Sequence, residues 1–308
     1  MTGWLWAIFT VLAAGGQTLR NVMQRELITT LGTVGATQVR FLFGLPFALL
    51  FLLAALTTTG ESFPHLTPVM LAWTFAGAST QMAATALLLM AMRDKSFVLV
   101  ISLIKIEPVH VALFGLVFLG DKITFPLGIA IGITTLGVVV MSWPRQLEAT
   151  VASGGFKPIM QGLLSGALFA ISAVTFRGGI LSLDSPYFMV NVTASLVTGL
   201  TMQVAAISLY LLLFDRKTLL AIVRAWRPSL LAGFLGGFAS LMWAAALALE
   251  LAAKVRTLAL VEILFAGLVS RSLFKQSFAS RDGLGIGLII IGVALLLWPE
   301  LFLRRLGL

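Results

Sequence analysis

The chain has no cysteine, only two histidines, and just 11% charged residues among its 308. Without Cys there is no disulfide, no thiolate metal site and no cysteine nucleophile. Neither His65 nor His110 has a second histidine at ligand spacing, so no metal centre is expected. Soluble domains carry about 25% charged residues. At 59% hydrophobic and a mean hydropathy of +1.04, this chain is not a soluble protein. Its 29 Gly and 11 Met lie inside apolar runs, which excludes low-complexity disorder. The net charge of +9 would suggest nucleic acid in a soluble protein. Here the Lys and Arg residues are scattered in short segments between apolar runs, where they flank membrane spans. The expected partner is membrane lipid, not nucleic acid.

A membrane-crossing helix needs about 20 apolar residues. Hydropathy predicts ten spans, near 3–24, 34–56, 67–91, 97–119, 123–143, 158–181, 187–214, 228–249, 253–274 and 283–303. The apolar run ending Leu12-Ala13-Ala14 has no positive segment before it, so it reads as an uncleaved first span, not a signal peptide. Residues 1–144 and 158–303 form two five-helix units joined by a polar linker, 145–157. The predicted fold class is an all-α integral membrane protein, with no length left for a soluble catalytic domain.

The two units are copies. A shift of 155 residues places Leu103 on Leu258, Glu107 on Glu262, Gly128 on Gly283, Gly132 on Gly287, Gly137 on Gly292 and Trp143-Pro144 on Trp298-Pro299. A shift of 157 places Thr18 on Thr175 and Arg20 on Arg177. A carboxylate, three glycines and a Trp-Pro in one ungapped register signify a duplication. Five helices per copy is an odd number, so the second copy enters the membrane from the opposite side. The result is an inverted repeat, a construction common among secondary transporters.

These features resemble the ten-helix branch of the drug/metabolite transporter superfamily, the EamA-type permeases. The resemblance is carried by Ser102 to Pro144: Glu107-Pro108, the turn Phe118-Leu119-Gly120-Asp121, the glycines at 128, 132 and 137, and Trp143-Pro144. Its second copy runs from Thr257 to Pro299. The family usually has Glu in the turn where this chain has Asp121 and Gln276, and the second copy has Ile263 where the first has Pro108. The resemblance implies transport of small metabolites, amino acids among them, with more distant relatives carrying nucleotide sugars and triose phosphates. It implies a cell (inner) membrane location. Thirteen of the 21 Lys and Arg residues fall in or near odd-numbered connections, against six in even ones and the tail. By the positive-inside rule both termini lie outside.

Ionisable groups at membrane depth mark function by default. In the fourth span Lys105, Glu107 and His110 cluster around Pro108, which is expected to kink the helix. Glu107 and His110 share a helical face. The cluster either lines and gates a polar cavity or locks the span against its neighbours. Glu262 is the symmetry mate of Glu107, either a proton-coupling carboxylate or the partner of a permanent salt bridge to Arg256, Lys105 or another helix. Gln17 and Asn21 share a face near the end of the first span. Arg40 lies deeper in the second. Arg20 and Arg177 are split between a buried role and snorkelling to the headgroups. Gln81 and Trp243 stand at mid-span, for substrate contact or for packing. The ladders Gly128/Gly132 and Gly283/Gly287 are assigned to helix packing or a dimer contact, and Gly233, Gly236 and Gly237 to packing or a hinge.

Deep cations (Arg20, Arg40, Lys105, Arg177, Arg256) outnumber deep carboxylates, which suits a ligand carrying an anionic group. The expected substrate-binding set is Gln17, Asn21, Arg40, Gln81, His110, Arg177 and Trp243; the coupling or gating set is Lys105, Glu107, Arg256 and Glu262. The chain has no ATP-binding motif, no GxSxG and no HExxH, and Glu107 with His110 lacks a nucleophile. The expectation is therefore a secondary transporter that is not an enzyme and uses no cofactor. Its substrate is an amino acid, aromatic or large and apolar, or another anionic metabolite such as an organic acid, sugar phosphate or nucleotide sugar. Protons or an exchanged substrate drive it, and it is a monomer or homodimer. An intramembrane enzyme, a channel and a receptor are the rival classes.

Overall fold

A computed structural model describes residues 2–94, 104, 106–142, 156–263, 265 and 280–299. Lys105, Trp143-Pro144, Gln276 and most of the expected 145–157 linker lie outside the described residues. Among those described there are helices and no strands. The chain runs α1 (Leu5–Leu42), α2 (Leu45–Thr59), α3 (Pro68–Asp94), α4 (Glu107–Leu119), α5 (Phe125–Ser142), α6 (Phe156–Leu181), α7 (Phe188–Phe214), α8 (Arg216–Arg224), α9 (Trp226–Leu249), α10 (Ala252–Leu258) and α11 (Ser280–Leu297). Five helices are long and apolar enough to cross a membrane: Glu26–Thr59, Pro68–Ala91, Ile159–Leu181, Phe188–Phe214 and Ser229–Leu249. Glu107–Leu119, Phe125–Val140 and Gly283–Leu297 are shorter and equally apolar. With the first leg of α1 and the segment from Ala252, these make up the ten helices.

Several boundaries differ from expectation for identifiable reasons. The first span does not stop near residue 24. It continues to Gly32, whose backbone (φ 67°, ψ 179°) leaves the helix in a conformation open mainly to glycine. Across this bend Gln24 Nε2 donates to the Ala36 carbonyl at 3.0 Å, tying the two legs of α1 together. Pro108 does not kink a helix. It occupies the first turn of α4, where a missing N–H costs nothing. The connection between the seventh and eighth spans contains α8, a short amphipathic helix with Asp215 as its N-cap. Thr218 donates its hydroxyl and its backbone N–H to Asp215 and holds that carboxyl below its ordinary value. The ninth span is broken: α10 ends at Leu258 and a 3₁₀ turn, Ala259–Val261, leads into Glu262. In the repeat register that turn matches residues 104–106, immediately before Glu107. Both acidic residues therefore follow an interruption of helix.

The packing follows the duplication. The most extensive contacts are α3 with α6, α1 with α9, and α5 with α11. The first two pairs exchange when the repeats exchange (third span on sixth, first on eighth), and the third maps onto itself. Each joins one repeat to the other. Phe75, Val117, Phe125 and Phe214 are more than 60% exposed, an apolar surface for lipid; Leu258, Val174 and their neighbours fill the core between the repeats.

Small residues set the close approaches, though not where the ladders lie. Among the described residues, a Cβ added at Gly128, Gly132, Gly283 or Gly287 would meet nothing within 4 Å, so these glycines make no close helix contact there. The α5–α11 contact instead uses the third glycine of each copy. A Cβ on Gly137 would lie 2.7 Å from the Gly285 carbonyl oxygen, and one on Gly292 would overlap the Thr134 hydroxyl. Gly233 and Gly237 of α9 likewise sit against Phe43 and Gly44, within an unbroken helix, which makes them packing residues. Gly137→Val and Gly292→Val are each expected to destabilise the bundle by about 1–3 kcal/mol, the usual cost of overpacking. Gly128→Ala and Gly283→Ala should leave thermal unfolding in detergent unchanged.

Candidate functional site

A cavity opens between the repeats, with a volume of about 70 Å³, several times the ~10–15 Å³ that one water needs. Its polar wall comes from α1 (Gln17, Arg20, Asn21, Arg40), α3 (Gln81), α7 (Ser195, Gln203) and the acidic segments after the two helix interruptions. Phe169, Phe176, Leu196, Leu200 and Leu247 supply an apolar wall. Within it one chain of contacts runs through both repeats. Trp243 Nε1 donates to Gln17 Oε1 at 3.0 Å, and Gln17 Nε2 donates to Glu262 Oε2 at 3.0 Å. The Arg256 guanidinium lies 4.3 Å from the Trp243 ring centroid, a cation–π distance. Its Nε is 3.2 Å from Glu107 Oε1, a contact of charge more than an aligned hydrogen bond. Glu107 and Arg256 are both more than 90% buried. Glu262 therefore does not pair with Arg256; that arginine goes to the carboxylate of the other repeat.

Arg20 and Arg40 are held differently. Arg20 Nη2 donates to Asn21 Oδ1 at 2.7 Å, and Arg40 Nη1 donates to Thr85 Oγ1 at 3.0 Å. Among the described residues, neither meets a carboxylate by hydrogen bond. Across the cavity Gln203 Nε2 donates to Gln81 Oε1 at 2.9 Å. Among the described lining residues, three guanidiniums face two carboxylates.

Of the residues expected to bind substrate, Gln17, Asn21, Arg40, Gln81 and Trp243 line this cavity, as do Glu107, Arg256 and Glu262 from the coupling set. Two are placed elsewhere. Arg177 is bound by Asp121, Nη1 to Oδ1 at 2.9 Å, and its Nε donates to the Leu247 carbonyl. It spans from α6 to the turn after α4, where Gly120 (φ 67°) caps the helix. It neither snorkels nor lines the cavity. His110 lies on α4 with its ring 6.2 Å from that of Phe114, off the lining. Lys105 is outside the described residues.

Residues 1–143 and 158–298 each match the EamA-like transporter family. The chain belongs to that family. It is therefore a transporter of small molecules within the drug/metabolite superfamily, and a multi-pass membrane protein. A solved crystal structure 16% identical to it aligns over 99% of this chain and 98% of its own, with a TM-score of 0.66; this likeness shows the fold alone. No curated protein matches the chain.

The polar lining residues absent from the expected set include Arg20, Gln203 and Ser195. Arg20 is split by sequence between a buried role and snorkelling because the first span is expected to end near residue 24; with the helix running to Gly32, position 20 is interior. Gln203 is an amide within the apolar seventh span and carries the same signal as Gln81. Ser195 carries no such signal, since hydroxyls in apolar helices commonly bond their own backbone. The Arg256–Glu107 contact yields a direct test. Glu107→Gln and Arg256→Gln are each expected to destabilise the transporter by about 3–5 kcal/mol, by stranding a buried charge. The double variant should recover part of that loss, with a coupling of about 0.5–3 kcal/mol in a cycle of unfolding measurements.

Proposed function

We propose that this transporter is a secondary carrier of amino acids, foremost those with aromatic or large apolar side chains, acting across the inner (cytoplasmic) membrane. The observation that carries the reading is the double character of one cavity between the repeats. Guanidiniums in excess of carboxylates share it with an aromatic and aliphatic wall. A zwitterion with a bulky apolar side chain is matched on both counts: carboxylate to cation, side chain to Phe169, Phe176, Leu196, Leu200 and the rim of Trp243. The ring face that Arg256 covers is already occupied, so Trp243 contributes its edge and its other face.

Transport proceeds by alternating access. The repeats are inverted copies, and their largest interfaces exchange under that relation, so rocking one bundle against the other presents the cavity to each side in turn. Glu107 and Glu262, each beside a helix interruption, are the coupling groups of this scheme. Arg177 with Asp121 ties α6 of the second repeat to the α4–α5 turn of the first, a contact that the rocking motion must break and remake. Protons or a counter-transported solute supply the drive.

The test is flux from liposomes preloaded with labelled amino acids at pH 6 and pH 8. Release of aromatic or large apolar amino acids is expected, falling about 10- to 100-fold in Trp243→Ala, since loss of a buried aromatic contact with its hydrogen bond amounts to about 1.5–3 kcal/mol. A pH effect that disappears in Glu262→Gln assigns proton coupling. Release of no amino acid would overturn the substrate class and direct the search to organic acids and sugar phosphates.

A further inference from the structure

Arg20 and Arg40 converge although they are far apart in sequence. The bend at Gly32 turns α1 back on itself, and both side chains then cross the same glycine of α9. A Cβ on Gly236 would lie 3.3 Å from Arg40 Cγ and 3.6 Å from Arg20 Cδ. The two stems thus both lie against the same glycine. Arg20 is 1% and Arg40 3% exposed. Among the described residues, Nε and Nη1 of Arg20 and Nε of Arg40 have no hydrogen-bond partner, nor has the buried hydroxyl of Ser195, and all three residues line the cavity. Among the described residues, Glu262 and Arg256 lie within electrostatic reach of Arg20, and Arg256 within reach of Arg40. Glu262 accepts from Gln17 and Glu107 contacts Arg256; neither satisfies those N–H groups.

Two like charges buried together with unused donors are unfavourable twice, through desolvation and through repulsion. Buried polar atoms in native proteins are nearly always hydrogen-bonded. What relieves both terms at once is an oxyanion accepting N–H bonds from both guanidiniums. We infer that Arg20 and Arg40, set side by side over Gly236, form the subsite that binds the oxyanion group of the transported solute, with Ser195 Oγ as a further donor. The inference rests on the carrier reading above and deepens it: the solute must bear a full negative charge at that point, and a neutral amide in its place is rejected.

The experiment is binding, not flux, so that it fails separately from the transport reading. Full-length protein in detergent is titrated with 3-phenylpropanoate, its neutral amide 3-phenylpropanamide, and inorganic phosphate, with thermal stabilisation as the readout. The carboxylate is expected to stabilise saturably and the amide not. Arg20→Gln and Arg40→Gln should each weaken anion binding about 10- to 100-fold, as expected for charge-assisted hydrogen bonds in a buried site. The same variants should unfold at an equal or higher temperature than the parent without ligand, because each removes an unsatisfied buried charge. Gly236→Ala, which keeps both charges and crowds only Arg40 by a few tenths of an ångström, should retain most of the anion binding. Stabilisation by phosphate but not by the carboxylate supports the subsite while overturning the amino-acid reading. Equal stabilisation by carboxylate and amide, no response to either anion, or an anion response that survives Arg20→Gln and Arg40→Gln would overturn the inference.

Discussion

A charge inside an apolar bundle has to be neutralised, hydrogen-bonded or hydrated, and the centre of this transporter is organised around that requirement. Arg256 answers it twice, with the Glu107 carboxylate and with the face of Trp243. Glu262 is answered by the Gln17 amide, whose carbonyl in turn takes the Trp243 N–H. These five side chains come from the first, fourth, eighth and ninth spans, so satisfying the charges is also what holds the two repeats together at mid-depth. Burying an ion pair is a poor source of net stability, but breaking one is costly. The network therefore acts mainly as a specifier: helices that slid past one another would strand a charge or an amide.

The two copies of one arginine show how far the repeats have diverged. Arg20 and Arg177 are equivalent by the duplication, yet Arg177 has found a carboxylate in the turn after α4 and Arg20 faces the cavity beside Arg40. In the first repeat the residue at that turn is Asp121. In the second it is Gln276, an amide that cannot supply a formal charge. The duplication fixed where both arginines sit along their helices; among the described residues only Arg177 meets a carboxylate by hydrogen bond. The proposed carrier uses this asymmetry. One arginine fastens the inter-repeat contact while the other stays open to solute.

Much of this was legible in the sequence because membrane depth makes polar residues conspicuous. Gln17, Asn21, Arg40, Gln81, Glu107, Trp243, Arg256 and Glu262 stand out in apolar runs, and all of them line one cavity. The repeat register paired Glu107 with Glu262 without any knowledge of the backbone, but the interruption before Glu262 was not legible and the kink expected at Pro108 is absent. What the sequence hid were partners and facing directions. Arg177 and His110 are as polar as the rest, but a neighbour from another span or the same helix claims each. Hydropathy has no means of seeing Asp121 at 2.9 Å from Arg177, or of telling an inward glycine from an outward one. The ladders Gly128/Gly132 and Gly283/Gly287 obey the small-xxx-small pattern, yet Gly137 and Gly292 make the contact. Arg20 was obscured by a boundary error of less than ten residues, since helix ends are the least reliable part of such a reading.

The excess of guanidinium over carboxylate in the cavity also bears on how the proposed cycle is driven. An alternating-access carrier must pass through a state in which its cavity is closed to both sides. With no solute bound, the closed cavity leaves the unused donors of the buried Arg20 and Arg40 unsatisfied, a cost of order 1–3 kcal/mol per group and more for charged ones. With an oxyanion bound, the same closure brings charge and counter-charge together in a lower dielectric, where their attraction strengthens. The loaded carrier is thus favoured over the empty one at the barrier between its two orientations. An arrangement with that preference returns most readily when a second solute is carried back, and among the two modes of drive it leans toward exchange.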